Sequence, residues 1–383
     1  MLKVEVDKKE ITPVLSMVQS IVDKKTIMNI INNVLITAED GGLSIEATDL
    51  EISYRTRIKA DVKEPGSITV SAKKIYEIIR ELQTDLVKIE EIENNWMRIY
   101  VDDKAEYKIA GLPPDDFPKF RGFSEEGFVS LNSDLIKELI TKTIYSVSYD
   151  DRKYALSGIL MEIGKPEESE GLYRIAMVSS DGHRLSLIER QIEIPEGLPS
   201  EMEDLSIIIP RKGAAEIKKF CDVSENINLK VEENFLYCTA ADNQLTIRLI
   251  DGTFPDYKAI IPEEQKNIIS FNRLEVLGAI RRISILSSDA AFRGVKISID
   301  GSVMELESLD KKMGQASETM TVSYQGEPMV VAFNAKYIED TLKIMKSETA
   351  FFIIKDEDSP CIIKGSDDEG FLALVMPMSL DEE

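Results

Sequence analysis

The chain holds a single histidine, His183, and Asp181 lies two residues before it. In a hydrolase these two would belong to a Ser-His-Asp group. Two features argue against that reading. Asp181-Gly182 is a turn signal, and no G-x-S-x-G elbow occurs. The acidic pairs Asp115–Asp116 and Asp367–Asp368 would suit a two-metal nuclease. Neither has a companion carboxylate or histidine at a suitable spacing, so both read as solvated turns. No P-loop or Rossmann glycine pattern is present. Cys221, Cys238 and Cys361 are scattered and odd in number. They form no CxxC and no disulfide framework, which fits a reducing cytoplasm, and Cys221 and Cys238 read as small core residues. The sequence therefore predicts no catalytic centre, no metal site and no cofactor.

The elements around these residues repeat. Ser71-Ala-Lys-Lys-Ile-Tyr-Glu, Pro210-Arg-Lys-Gly-Ala-Ala-Glu and Asn334-Ala-Lys-Tyr-Ile-Glu-Asp each open a helical pattern. In the first, Ile75, Ile78, Ile79 and Leu82 carry the apolar stripe. Each follows an apolar strand, at residues 68–70, 205–209 and 329–333. A second helix set, at residues 7–24, 132–148 and 272–288, follows short strands at 2–6, 128–131 and 268–271. Asn132 and Asn272 are predicted N-caps, and Leu135, Leu139 and Ile140 fall at helical spacing. The unit reads strand, helix, strands, twice over, with a period of roughly 125–140 residues. Asp115-Asp-Phe-Pro and Phe254-Pro-Asp-Tyr punctuate two unit ends. Three α+β domains are expected, at 1–126, 127–263 and 264–383.

Charge follows the repeat. The net charge is −23, yet the six helical windows together carry +7, which leaves −30 elsewhere. Helix C-termini favour cations in any protein. The sharper reading is a basic surface shared by all six helices, with antiparallel sheets behind it. Such an arc, closed by head-to-tail self-association, makes a ring. A basic hole within an acidic shell would hold a polyanion by enclosure. No apolar run approaches the roughly 18–20 residues of a membrane helix, and residues 1–6 alternate as a strand without a secretory core. No membrane partner is expected.

Four motifs identify a family. Ser180-Asp-Gly-His-Arg-Leu, Asp251-Gly-Thr-Phe-Pro-Asp-Tyr, Phe292-Arg-Gly-Val and Val375-Met-Pro-Met-Ser-Leu, in this order and with the repeat, resemble the bacterial β sliding clamps over residues 1 to about 380. The resemblance implies three DNA-clamp domains, each with two helices on antiparallel sheets, forming half of a ring. It implies a head-to-tail homodimer around double-stranded DNA, without sequence preference, that tethers the replicative polymerase. It further implies a pocket for short linear peptides of the polymerase, the clamp loader and repair proteins. By motif, that pocket comprises Leu156, Ser180, Gly182, His183, Arg184, Leu185, Pro255, Ile260, Asn334, Tyr337, Leu374, Met376, Pro377 and Met378. Methionines adapt to varied apolar partners, and Pro377 fixes the backbone between two of them. For DNA, the family positions are Lys25, Lys73, Lys153, Tyr154, Arg211 and Lys212. Lys74, Arg281 and Arg282 are added from helix charge alone. Phosphate contacts of this kind position without reading sequence.

The sequence departs from the family pattern at Asn29, Ala259 and Ser379, and in the acidic end Asp381-Glu-Glu. Two other readings remain open on the residues alone. One is a hydrolase using Asp181 and His183. The other is a repeat scaffold that binds only proteins, with incidental helix charge.

Overall fold

Every helix starts where a strand ends. The computed structural model describes residues 1–22, 28–39, 41–102, 104–150, 152–165, 171–194, 198–199, 202–262, 266–286, 294–309 and 314–379. Its six α-helices are α1 (Lys8–Ile21), α2 (Ala72–Glu81), α3 (Ser133–Thr143), α4 (Arg211–Phe220), α5 (Arg273–Ile283) and α6 (Ala335–Ile344). The predicted caps hold: Asn132 Oδ1 accepts from Leu135 N, and Asn272 Oδ1 from Glu275 N, both at 3.1 Å. Asp7, Ser71 and Asn334 cap α1, α2 and α6 in the same way. Each cap satisfies a backbone N–H that the first turn leaves unpaired.

The junction is the same in all three repeats. The first residue of α1, α3 and α5 donates its N–H to the residue just before the neighbouring strand. Lys8 reaches Asp85 O at 2.8 Å, Ser133 reaches Glu225 O at 2.9 Å, and Arg273 reaches Glu348 O at 2.9 Å. The side chains of these residues then reach the end of the second helix or the turn after it. Lys8 Nζ donates to Leu82 O, Arg273 Nη1 to Leu342 O, and Ser133 Oγ to Ser224 O. A donor there suits the unpaired carbonyls and negative dipole end of a helix.

The chain divides into two compact units. The first contains residues 1–137, 196–203 and 212–249. It holds a thirteen-stranded sheet, ordered Val129–Asn132, Asn226–Glu232, Phe235–Ala240, Asn243–Arg248, Ile52–Lys59, Gly42–Thr48, Asn33–Glu39, Gly66–Ser71, Ala105–Leu112, Trp96–Val101, Leu86–Ile92, Lys3–Asp7, Asp61–Glu64. Helix α1 packs on α2. Ile11, Leu15, Val18, Ile21, Ile75 and Ile79 are buried between them and the sheet, whereas Ile78 is only half-buried.

The second unit contains residues 138–195, 204–211 and 250–383. Its eight-stranded sheet runs Leu205–Pro210, Gly158–Gly164, Leu172–Ser180, Arg184–Glu193, Phe371–Val375, Cys361–Gly365, Thr349–Ile353, Ile268–Asn272. A four-stranded sheet runs Ser317–Thr321, Val303–Ser308, Gly294–Asp300, Met329–Asn334. Helix α5 packs on α6. The chain first passes between units within α3, where Ile136, Leu139 and Ile140 are buried and Leu135 is half-buried. The strand pairings are antiparallel throughout both units, as expected for an α+β fold. The three cysteines are buried and unbridged. Burial pushes the Cys221 thiol up to about 12 and raises those of Cys238 and Cys361 as well.

One acidic pair departs from the reading as a solvated turn. Asp367 is exposed, but the Asp368 side chain is fully buried. It accepts from Lys142 Nζ, from Lys346 N and Ser347 N, and from Ser347 Oγ at 2.6 Å. Lys142 is itself buried against the Phe371 ring. Burial raises the Asp368 pKa, but Lys142 and the Ser347 and Lys346 donors outweigh it and hold the carboxyl at about 2. A depressed carboxyl stabilises the fold above its unfolded value near 3.8 and loses that contribution as pH falls toward 2, which amounts to about 2 kcal/mol. Asp368→Ala removes the nearer counterion of the buried Lys142 ammonium, leaving only Glu138 at 3.7 Å, and is expected to cost about 3 kcal/mol. Denaturant unfolding from pH 5 to pH 2 checks both points. The variant should start lower and fall less steeply than the parent over that range.

Candidate functional site

The strands Leu172–Ser180 and Arg184–Glu193 pair as a hairpin, with Ser180 opposite Leu185. The turn between them is tied by its own side chains. Ser180 Oγ accepts from Gly182 N at 3.1 Å and donates to Arg184 O at 2.8 Å. Asp181 Oδ1 accepts from His183 N at 2.9 Å and Arg184 N at 3.0 Å. Gly182 has φ +91°, a left-handed conformation suited to glycine. A Cβ there would lie 2.9 Å from Lys153 Nζ, which donates to Asp181 O. Asp181 is thus engaged in holding backbone and Arg184, and the Ser180 hydroxyl is donated to a carbonyl. The triad reading fails on this geometry.

Three further segments meet the turn. Strand Phe371–Val375 pairs alongside, with Arg184 opposite Val375. Met376 N then donates to His183 O at 2.9 Å and Met378 N to Ala332 O at 2.8 Å. Pro377 bridges to Phe333. Asn334 and Tyr337 come from the start of α6. Beneath lie Leu160, Val178, Leu185, Ile208, Ile250, Tyr257 and Leu374, with Ala155, Phe254 and Ile261 packed against them. Met376 and Ile260 stand exposed, at 41% and 48%. His183 and Pro255 are exposed too, while Leu156, Pro377 and Met378 are half-buried. The surface is apolar, floored by a packed core, and rimmed by backbone groups. That chemistry fits an extended peptide with apolar anchors.

Of the fourteen residues, Ser180, Arg184, Leu185 and Leu374 are buried. Arg184 donates to Asp181, to Asp340 Oδ2 at 2.8 Å and to Tyr145 O at 2.7 Å. Burial works against its charge, but Asp340 and Asp181 hold its pKa above the usual arginine value. Tyr145 and Asp340 were not singled out by sequence. Asp340 had one local signal, its i,i+4 spacing to Lys336, which it pairs at 2.6 Å.

The cations assigned to DNA are mostly paired. Lys73 meets Glu77, Lys212 meets Asp49, Arg281 meets Glu339, and Arg282 meets Glu318 through two bonds. Lys74 and Tyr154 are exposed. Arg211 lies 3.8 Å from the ring centroid of Tyr149, an exposed residue that the sequence reading missed. Lys25 lies outside the described residues, as do Phe292, Arg293 and Asp381–Glu383. Among the described residues, no group of three or more His, Cys, Asp or Glu is placed to hold a metal ion. No described helix is long and apolar enough to cross a membrane.

Profiles of the DNA polymerase III beta subunit match nearly the whole chain: the N-terminal domain at residues 2–121, the central domain at 130–256 and the C-terminal domain at 258–379. The chain belongs to the β sliding clamp family. The beta sliding clamps of Vibrio cholerae and Salmonella typhimurium are each 29% identical to it over 381 residues, 99% of this chain and 100% of theirs. Among solved structures, the DNA polymerase III beta subunit of Thermotoga maritima superposes with a TM-score of 0.88 at 27% identity, covering 99% of this chain and 100% of that one. The sliding clamp of Caulobacter crescentus gives 0.87 at 27%, with the same coverage. Family and fold agree that the chain is a non-catalytic processivity subunit of DNA replication, built from three clamp domains.

The turn provides a direct test of the site's backbone. Gly182→Ala forces a β-carbon into a left-handed position beside Lys153 and is expected to cost about 1–2 kcal/mol. A shift of the urea midpoint without a change in slope checks it.

Proposed function

We propose that two copies of the chain close head to tail into a ring around duplex DNA and tether the replicative polymerase to it. The observation that carries this reading is a rule of succession. In the first unit, strand Ile52–Lys59 of the first repeat pairs with Asn243–Arg248, the last strand of the second. In the second unit, Arg184–Glu193 of the second repeat pairs with Phe371–Val375, the last strand of the third. Helices follow the same rule. Ser20 of α1 bonds Glu216 of α4 at 2.7 Å, and Tyr145, just beyond α3, bonds Thr341 of α6 at 3.1 Å.

Two halves of such a joint are left over. Among the described residues, Ser317–Thr321 pairs on one side only. Ala105–Leu112 pairs with Trp96–Val101 over Ala105–Ala110 but meets Gly66–Ser71 only at Thr69 and Val70. By the rule, Ser317–Thr321 of one copy takes Ala105–Leu112 of another, and α5 takes α2. Exposed apolar residues accompany both halves: Trp96 and Tyr107 on one, Leu274 and Ile285 on the other. A self-complementary pair of such contacts closes as a dimer, and an exposed strand edge otherwise invites disorderly pairing.

The three repeats then divide at 1–126, 127–263 and 264–383. To DNA contact we assign Lys25, Lys73, Lys74, Lys153, Tyr154, Arg211, Lys212, Arg281 and Arg282. The carboxylates beside several of these cations suit a ring that must slide, since each contact stays weak and salt-sensitive. The fourteen-residue site on the second unit takes short peptides of the polymerase, the clamp loader and repair proteins. Bringing a partner there raises its effective concentration at the DNA. Buried, unbridged cysteines suit a cytoplasmic protein.

Sedimentation should give twice the chain mass of 43.1 kDa. Rings loaded on nicked circular DNA should stay, and those on linear DNA should run off the ends. Equal retention on both would refute enclosure. Reversing charge at Arg211 and Lys212 should lower the salt concentration at which circular DNA still retains the ring during loading.

A further inference from the structure

The resemblance places Arg184 among the residues that line the docking site, yet its side chain is already engaged. Nε donates to Asp181 Oδ2 at 2.9 Å, Nη1 to Asp340 Oδ2 at 2.8 Å, and Nη2 to Tyr145 O at 2.7 Å. Its guanidinium carbon lies 4.5 Å from the Tyr337 ring centroid and 5.4 Å from that of Tyr145. The side chain is 9% exposed. Three of its five N–H groups are engaged, and a guanidinium so buried between two rings presents little of itself to a ligand.

The chain contains its own control for what this arginine does. The turn Thr48–Ile52 in the first unit repeats the turn Ser180–Arg184 bond for bond. Thr48 Oγ1 accepts from Leu50 N and donates to Ile52 O, both at 2.9 Å. Asp49 Oδ1 accepts from Glu51 N and Ile52 N. Asp49 N donates to Ile52 O, as Asp181 N does to Arg184 O. Arg248 N donates to Glu51 O at 2.8 Å, as Met376 N does to His183 O at 2.9 Å. Even the left-handed position recurs, with Leu50 at φ +78° where Gly182 has +91°. The residue in the place of Arg184 is Ile52. The turn therefore folds without an arginine, and the three acceptors of Arg184 need another explanation.

We infer that Arg184 is a positioning residue for peptide docking. It ties the turn that carries Gly182 and His183 to Asp340 and Tyr337 of α6, and so fixes the gap between the two rims of the site. It does this through Asp340, which is not among the lining residues, and it makes no bond to the docked peptide. This inference rests on the docking role proposed above.

The test measures binding of a fluorescein-labelled synthetic peptide, with a leucine and an adjacent phenylalanine as anchors, to the full-length protein. Asp340→Ala should weaken binding about tenfold, within the range of coupling between touching residues. Arg184→Ala should weaken it by a similar factor, and the double variant should be no weaker than Arg184→Ala alone. Asp340→Glu should recover part of the loss. Sedimentation of Asp340→Ala as a dimer should match the parent, which general unfolding would not allow. If Asp340→Ala proves unstable, Asp340→Asn takes its place and should lose affinity in the same direction. Parent-level affinity in the Asp340 variants, beside a loss in Arg184→Ala, would mean that Arg184 bonds the peptide directly and would overturn the inference. Unchanged affinity in every variant would overturn it as well. If the parent protein itself does not bind the peptide, the docking role fails and this inference with it.

Discussion

The main-chain pairing that carries one repeat into the next is the constraint on which the rest depends. Ile52–Lys59 meets Asn243–Arg248, and Arg184–Glu193 meets Phe371–Val375, each by an antiparallel ladder. A ladder fixes register to the residue, because a slip of one would turn every buried side chain outward. Each joint also sets the position of a turn, Thr48–Ile52 or Ser180–Arg184, and each turn receives one more N–H from the incoming strand's end. At the second joint, the incoming chain continues as Met376-Pro377-Met378. The docking surface is therefore a by-product of how repeats are joined, made distinct by the residues that occupy one joint.

Much of this was legible in the sequence, for physical reasons that are local. Helix starts were readable because a cap acts within three residues of itself, as Asn132 and Asn272 do. Strands such as Trp96–Val101 and Phe235–Ala240 were readable because alternation has a period of two. Interactions over long separations were not readable. Asp368 looked like its neighbour Asp367, and nothing nearby in sequence announces Lys142, 226 residues away. The partners of Arg184 were hidden likewise, with Asp340 lying 156 residues on.

Charge shows the same limit in a different form. Counting the helices alone gives +7, but folding sets carboxylates from elsewhere against them. Asp49 reaches Lys212 and Glu318 reaches Arg282. Such exposed pairs add little stability, about 0–1 kcal/mol each. What they change is the field. A cation beside a carboxylate attracts a phosphate more weakly than an isolated one, and salt screens the remainder within about 8 Å. A helix surface can then carry an excess of cations without gripping.

The two matching turns show how a repeat acquires a site without changing its backbone. Leu50 holds a left-handed conformation at a cost that a residue other than glycine must bear. Gly182 removes that cost and also removes the side chain. Leu50 is 53% exposed, whereas at Gly182 the absent side chain lets Lys153 Nζ approach the turn and bond Asp181 O. After the turn, Ile52 gives way to Arg184, whose bonds reach α6. Past the ladder, Arg248 gives way to Met376, an apolar and adaptable side chain in place of a charged one. Each change acts on a different property: access, alignment and adhesion. The backbone hydrogen bonds beneath them stay the same, so the joint keeps its strength while its surface is altered. Divergence of this kind is possible because the ladder and the turn bonds use main-chain atoms and two short polar side chains, and leave the remaining positions open to variation.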